Sequence, residues 1–378
     1  MNESAKIIAA AVFLTCPSAL AWAQQPQSAP PVMEFAHGGV HPGAAPAAPA
    51  MSLKDIPPHP AEVSGRVPKL NHIGPNGNVA HIHPTVQGAA ARHAAGLAGP
   101  ASLTPALLYH AGGAVMNPYV NVYVIFWVPP TLQTGAPTGI SANYSTPTIL
   151  VGGWLAGHGV QNIATQYYQT ISGTTTYVPN IGGLGGYYVD NAPYPASGCT
   201  DTATQGNCLT DAQIQAEITR VMGINGWTGG MNKIFVLLTS AGEGSCIDNT
   251  NVSCAYTQYC GYHSAYSLAG QNVIYANIPY GNPNTCQAPG QTTPNDAFAD
   301  LAANIMSHEI IEAATDPVGN AWFDSSGAEI GDLCNFNFGS NTWGSGAGAG
   351  NQMWNGVIFE LQQEYDNHAA GCVQVGPQ

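Results

Sequence analysis

Apolar positions three and four residues apart mark the helices of this chain, and runs of β-branched and aromatic residues mark its strands. From Asp296 to Ala314 (DAFADLAANIMSHEIIEAA), Phe298, Leu301, Ile305 and Met306 recur at helical spacing, as do Ile310 and Ala314. Asn295 is the expected N-cap, and Pro317 the stop, because the residue before a proline is pushed out of the α region. A second helix is predicted over Asp211–Met222, with Thr210 as its cap and Gly223 at its end. A third, over Thr148–Tyr168, is expected to break at Gly152-Gly153. Strands are predicted at Tyr119–Val128 (YVNVYVIFWV), Lys233–Thr239 and Asn272–Ile278. This order predicts an α+β domain, a mixed sheet with packed helices and no internal repeat.

Periodicity is not sustained before residue 104. Residues 1–23 read as a secretory signal peptide, with Lys6, the apolar run Ile7–Cys16 and the small-x-small site Ala21-Trp22-Ala23. Residues 24–104 are rich in Ala, Pro, Gly and His, and Phe35 is their only aromatic residue. The expectation is a disordered pro-segment or linker without a packed core, ahead of a domain at 105–378. It holds Lys54, Arg66, Lys69 and Arg92 and seven histidines. As a zymogen's pro-segment it docks loosely by opposite charge and is cut between Gly88 and Thr104. Its His81-Ile82-His83 reads as a loose metal pair or as two solvated side chains.

Charge narrows the function classes. From residue 105 on there are two basic residues, Arg220 and Lys233, against seventeen acidic ones. No basic patch can neutralise phosphates, so nucleic acid is excluded as a partner. No later apolar run is long enough to span a bilayer, and the expectation is a secreted, acid-tolerant monomer. Eight cysteines follow Cys16. Read as disulfides of an oxidising compartment, they pair by proximity as Cys199–Cys208, Cys246–Cys254, Cys260–Cys286 and Cys334–Cys372. No CxxC pair is present, which argues against a thiolate zinc site.

The candidate chemistry lies between Ile305 and Cys334, where His308, Glu309, Glu312, Asp316, Asp324, Glu329 and Asp332 crowd a chain otherwise poor in charge. His308 and Glu312, four apart, share a helix face with Glu309 beside them. This stretch, with Glu329 and Asp332 downstream, resembles the thermolysin-like metallopeptidases, with Glu312 where their second helix histidine stands. The resemblance implies a zincin-like fold, Zn2+ held by His308, Glu312 and either Asp332 or Glu329, and Glu309 as general base. Two other chemistries stay open. Glu309 with Asp332, or Glu312 with Glu329, could share a proton as an acid-protease dyad. Alternatively Asp316, Asp324, Glu329 and Asp332 could furnish oxygens for Ca2+.

A second resemblance covers roughly residues 108–372. The opening strand NVYVIFW (Asn121–Trp127), then CGYH (Cys260–His263), YANIPY (Tyr275–Tyr280), Cys286, SHEIIEAATDP and EIGDLC are similar to the Exordium, or phosphate-induced, family of exported proteins. It implies an extracellular protein and makes His263 a further candidate ligand. No GxSxG elbow, phosphate-binding loop or dinucleotide fingerprint is present. The expected function is therefore a secreted endopeptidase acting on polypeptides, zinc-dependent or of the acid type. The alternative is a non-enzymatic, Exordium-like binding protein.

Overall fold

The computed structural model describes residues 67–97, 107–201, 203–204, 207–248 and 252–376. The expected signal peptide and residues 24–66 and 98–104 of the expected pro-segment lie outside the described residues.

The fold is α+β. Seven strands form one mixed sheet: β1 (Asn71–Ile73), β2 (Val79–Pro84), β3 (Val120–Trp127), β4 (Gly182–Asp190), β5 (Lys233–Thr239), β6 (Tyr259–Leu268) and β7 (Gln271–Ile278), in the order β1-β2-β6-β7-β5-β3-β4. β7, β5, β3 and β4 run parallel. β6 turns back on β7 through Ala269-Gly270, both with positive φ, which is the turn that a tight hairpin needs. β2 and then β1 continue the antiparallel side. The four helices that matter here are α1 (Val86–Ala94), α2 (Ser145–Trp154), α3 (Asp211–Asn225) and α4 (Ala297–Thr315).

Alternate residues of β6 identify the layers. His263 reaches Glu309 on α4, while Tyr262 and Tyr266 reach Asp211 and Thr219 on α3. The two helices therefore pack on opposite faces of the sheet. On α4 every side chain from Phe298 to Thr315 is buried, so this helix is hydrophobic all round except for the polar groups it carries inward. Opposite it, Asp211 accepts hydrogen bonds from Tyr262, Tyr275, Gln215 and Asn78 and is a satisfied core polar group.

The N-terminal stretch departs most from expectation. Residues 67–97 do not lack a packed core: they add β1 and β2 to the sheet and α1 beside it. Ala80 and Ile82 are fully buried. Attachment is by strand pairing and by buried, directed hydrogen bonds rather than by loose charge attraction. Arg92 is buried and donates to Pro68 O and Ser326 Oγ, and Asn78 donates to Asp211 and Ser264. Nor are His81 and His83 solvated. Both are buried on the sheet face opposite Ala80 and Ile82, because both faces of β2 are covered from Ala80 to Pro84. A strand covered on both faces shows no polar-apolar alternation, which is why the pattern is missed.

Smaller corrections follow from local chemistry. The N-cap of α4 is Asp296, whose Oδ1 accepts from Phe298 N and Ala299 N, while Asn295 donates to Asp300 and Ile358 O. Helix α3 runs past Gly223 to Asn225 and stops at Gly226, which takes the left-handed conformation. Gly152-Gly153 lie inside α2, and the break comes after Trp154. Gly152 serves close packing there: a Cβ would lie 2.9 Å from Met306 Cε and 3.2 Å from side chains of Val122 and Val124. The helix end at Asp316-Pro317 and the four disulfides fall where expected.

Candidate metal centre

Helix α4 carries His308, Glu309 and Glu312 toward strands β2 and β6, and the loop after it returns Glu329 and Asp332 to the same place. All five are buried. The loop takes this path because two other acids shape it. Asp316 caps the helix end by accepting from Asn320 N and Ala321 N at 2.6 and 2.8 Å. Asp324 closes a turn by accepting from Ser326 N and Ala328 N at 2.7 and 2.9 Å. Their work is local, and neither joins Glu329 and Asp332 in a group able to hold a cation.

From the sheet come His81 on β2 and His263 on β6, which are cross-strand partners and so share a face. His81 Nε2 lies 2.5 Å from Asp332 Oδ2, and His81 Nδ1 lies 2.8 Å from Asn71 Oδ1 and 3.1 Å from Glu329 Oε1. His263 Nδ1 is 3.0 Å from Glu309 Oε2 and 3.6 Å from Glu312 Oε2, and its Nε2 is 3.7 Å from Glu329 Oε2. His308 Nε2 is 3.0 Å from Glu312 Oε2. Glu312 Oε1 accepts from Asp332 N, and Asp332 Oδ2 accepts from Glu329 N. His83, on the same face of β2, packs edge-on against His308 with ring centroids 4.3 Å apart.

Glu309 Oε1, Glu312 Oε2, Glu329 Oε2 and His308 Nε2 are buried without a hydrogen-bond partner. Orphaned groups of this kind are costly inside a protein. Burial pushes the carboxyls of Glu309, Glu312 and Glu329 well above their usual range, with Asp332 adding to the rise. Asp332 goes the other way: burial raises it, but His81 and His308 outweigh that and hold it below the ordinary carboxylate range. Burial lowers His83 to about 4 and His263 to about 3, and drives His308 well below its usual value. The centre thus gathers neutral imidazoles and carboxylates that favour a proton or a cation.

Two groups have ligand atoms all within 4.8 Å of one another, His81 with Glu312 and Asp332, and His263 with Glu309 and Glu312. Imidazole with carboxylate suits zinc and its divalent neighbours. Of the residues singled out in the sequence, His308, Glu309, Glu312, Glu329 and Asp332 come together. His308 touches Glu312 and Glu329 touches His81, but neither belongs to a group, and His263, the further candidate, belongs to one. His81, offered by the sequence only as half of a loose metal pair with His83, joins the centre because pairing with β6 sets β2 against α4 and the loop after it. The eight cysteines are paired, so thiolates play no part. No helix among the described residues is long and apolar enough to cross a membrane. No protein-family model, no curated protein and no solved structure matches this chain.

Proposed function

We propose that the protein is a secreted, cation-dependent hydrolase of peptide bonds with Glu309 as its general base. The observation that carries this reading is that Glu309, Glu312 and Glu329 crowd His263, each with a buried carboxylate oxygen that makes no hydrogen bond. When bound there, a divalent cation such as zinc polarises a carbonyl and lowers the pKa of its water. Glu309 holds His263 through Oε2 and keeps Oε1 free, so Oε1 can take the proton of the attacking water and hand it to the leaving amine. His263 fixes the rotamer of that base. The polypeptide substrate and the zincin-like comparison rest on the resemblance of the HE helix. Export rests on the disulfides and on the N-terminal pattern.

A second reading has an observation of its own. None of the centre's side chains reaches the surface, which suits a non-enzymatic exported binding protein whose ion, zinc or calcium, serves the fold. Metal analysis of the purified protein, with casein hydrolysis followed across pH with and without chelator, separates the readings. The hydrolase binds metal and loses activity to chelator. An acid dyad of paired carboxylates keeps its activity without metal, and a structural ion is present without turnover. Glu309→Gln is expected to retain the metal and lose about a hundredfold or more in rate; near-normal hydrolysis by that variant would exclude Glu309 as the base.

A further inference from the structure

We propose that the cation of this centre is seated on His81, Glu312 and Asp332, so that strand β2 supplies the histidine ligand and His308 of the HE helix supplies none. The proposal rests on the cation-dependent reading above and specifies its ligands.

His308 is committed elsewhere by its tautomer. The side-chain nitrogen of Gln362 lies 3.0 Å from Gly331 O and 2.7 Å from His308 Nδ1. A carbonyl oxygen only accepts, so the amide nitrogen faces that side, and Gln362 Oε1 in turn accepts from Phe336 N. The NH2 group therefore donates to His308 Nδ1, which must carry the lone pair. In a neutral imidazole the proton then sits on Nε2, 3.0 Å from Glu312 Oε2. An N–H cannot coordinate a metal.

His81 has the opposite arrangement. Its Nδ1 faces two acceptors, Asn71 Oδ1 at 2.8 Å and Glu329 Oε1 at 3.1 Å, which place the proton on Nδ1. The Nε2 lone pair is then aimed at Asp332 Oδ2, 2.5 Å away. Two lone pairs at that distance repel unless something positive lies between them. A proton bridges only that pair, whereas a divalent cation also draws on Glu312, the third member of the group, whose Oε2 makes no hydrogen bond. Ligating histidines characteristically donate their second ring N–H to an amide or carboxylate oxygen, as His81 does to Asn71 and Glu329. The ligand atoms of His81, Glu312 and Asp332 are already within 4.8 Å of one another, so small shifts bring each to the roughly 2.0–2.2 Å that zinc requires. Backbone amides hold both carboxylates while they shift. With this seat filled, Glu309 and His263 stay free for the base role.

Zinc binding to the purified protein, measured by equilibrium dialysis, tests the seat. The wild type is expected to hold about one zinc per chain. His81→Gln is expected to bind at least ~100-fold more weakly. His93→Gln, an exposed histidine of the same N-terminal stretch, keeps wild-type affinity, and His308→Gln stays within about tenfold. If His81→Gln fails to fold, Asn71→Leu decides, since it leaves all three ligands in place and is expected to weaken zinc about tenfold by releasing the His81 tautomer; unchanged affinity there overturns the proposal. So does wild-type affinity in His81→Gln, or loss of zinc in His308→Gln equal to that in His81→Gln, and either leaves cation dependence itself standing. No zinc on the wild type removes both the seat and the reading beneath it.

Discussion

Gly331 is the residue against which the centre is built. A Cβ there would press into His308 Nδ1 and sit 3.0 Å from Glu312 Oε1. Gly331→Ala is therefore expected to cost about 1–3 kcal/mol of stability, as overpacking does, and to weaken zinc binding; urea unfolding and dialysis on the same preparation measure the two. The acids around it are legible in the sequence because carboxylates are scarce in this chain and crowd one stretch. The glycine is less so, since nothing in the spacing of EIGD says what would touch its Cβ. His81 is the hardest to read. Its partner Asp332 lies 251 residues away, and no local pattern encodes a pairing over that distance.

At the scale of elements, the long helices and the strands rich in β-branched residues are legible, with ends off by a few residues where capping decides. Four of the sheet's seven strands escape, β6 among them. The edge strand β4, GGLGGYYVD, opens on four glycines around one leucine, which carry little strand signal. β1 and β2 sit in a stretch whose Ala, Pro and His content imitates a linker. The consequence is testable. A chain starting at Val67 is expected to keep its fold and its zinc. One starting at Thr104 loses β2, exposes the edge of β6 and leaves the core short of Ile82, so it is expected to aggregate and bind no zinc. Circular dichroism, size-exclusion chromatography and metal analysis distinguish the two chains. An active, folded protein starting at Thr104 would restore the loosely docked pro-segment.

For the whole molecule the governing quantity is buried acid. Glu243 is fully buried, with Oε1 accepting from Gln133 and Oε2 unpartnered. Burial pushes its carboxyl up to about 8, only partly offset by Gln133, and burial takes Asp316 to about 6. A carboxyl raised on folding stabilises the native state fully below its unfolded pKa, near 4.5 for Glu243, and loses that contribution as pH rises through the folded value. His83 and His263, lowered to about 4 and 3 from 6.5, act in the other sense: their contribution is present above 6.5 and lost as pH falls. Between pH 6.5 and 8 the carboxyls dominate. Chelator-treated protein is therefore expected to lose stability across that window, by about 1.5 kcal/mol from Glu243 alone. Urea midpoints for the wild type and Glu243→Gln check this, and an equal slope in both would exclude Glu243 as a cause. The low charge that suggests acid tolerance in the sequence is thus reinforced by carboxyls that are more comfortable protonated.

The pairing of β2 with β6 also sets an order of events in time. Val79 and Ser264 meet across 185 residues, and closing so large a loop is slow compared with forming α3 or the β6–β7 hairpin. Until that closure, His81 is absent from the centre and Asp332 lacks the imidazole beside it. A chain emerging from the N-terminus must therefore keep its first structured strand unpaired while most of the remainder is made. The centre is completed last, and the proposed ion, which would reward the finished arrangement, would lock the end of folding rather than its beginning.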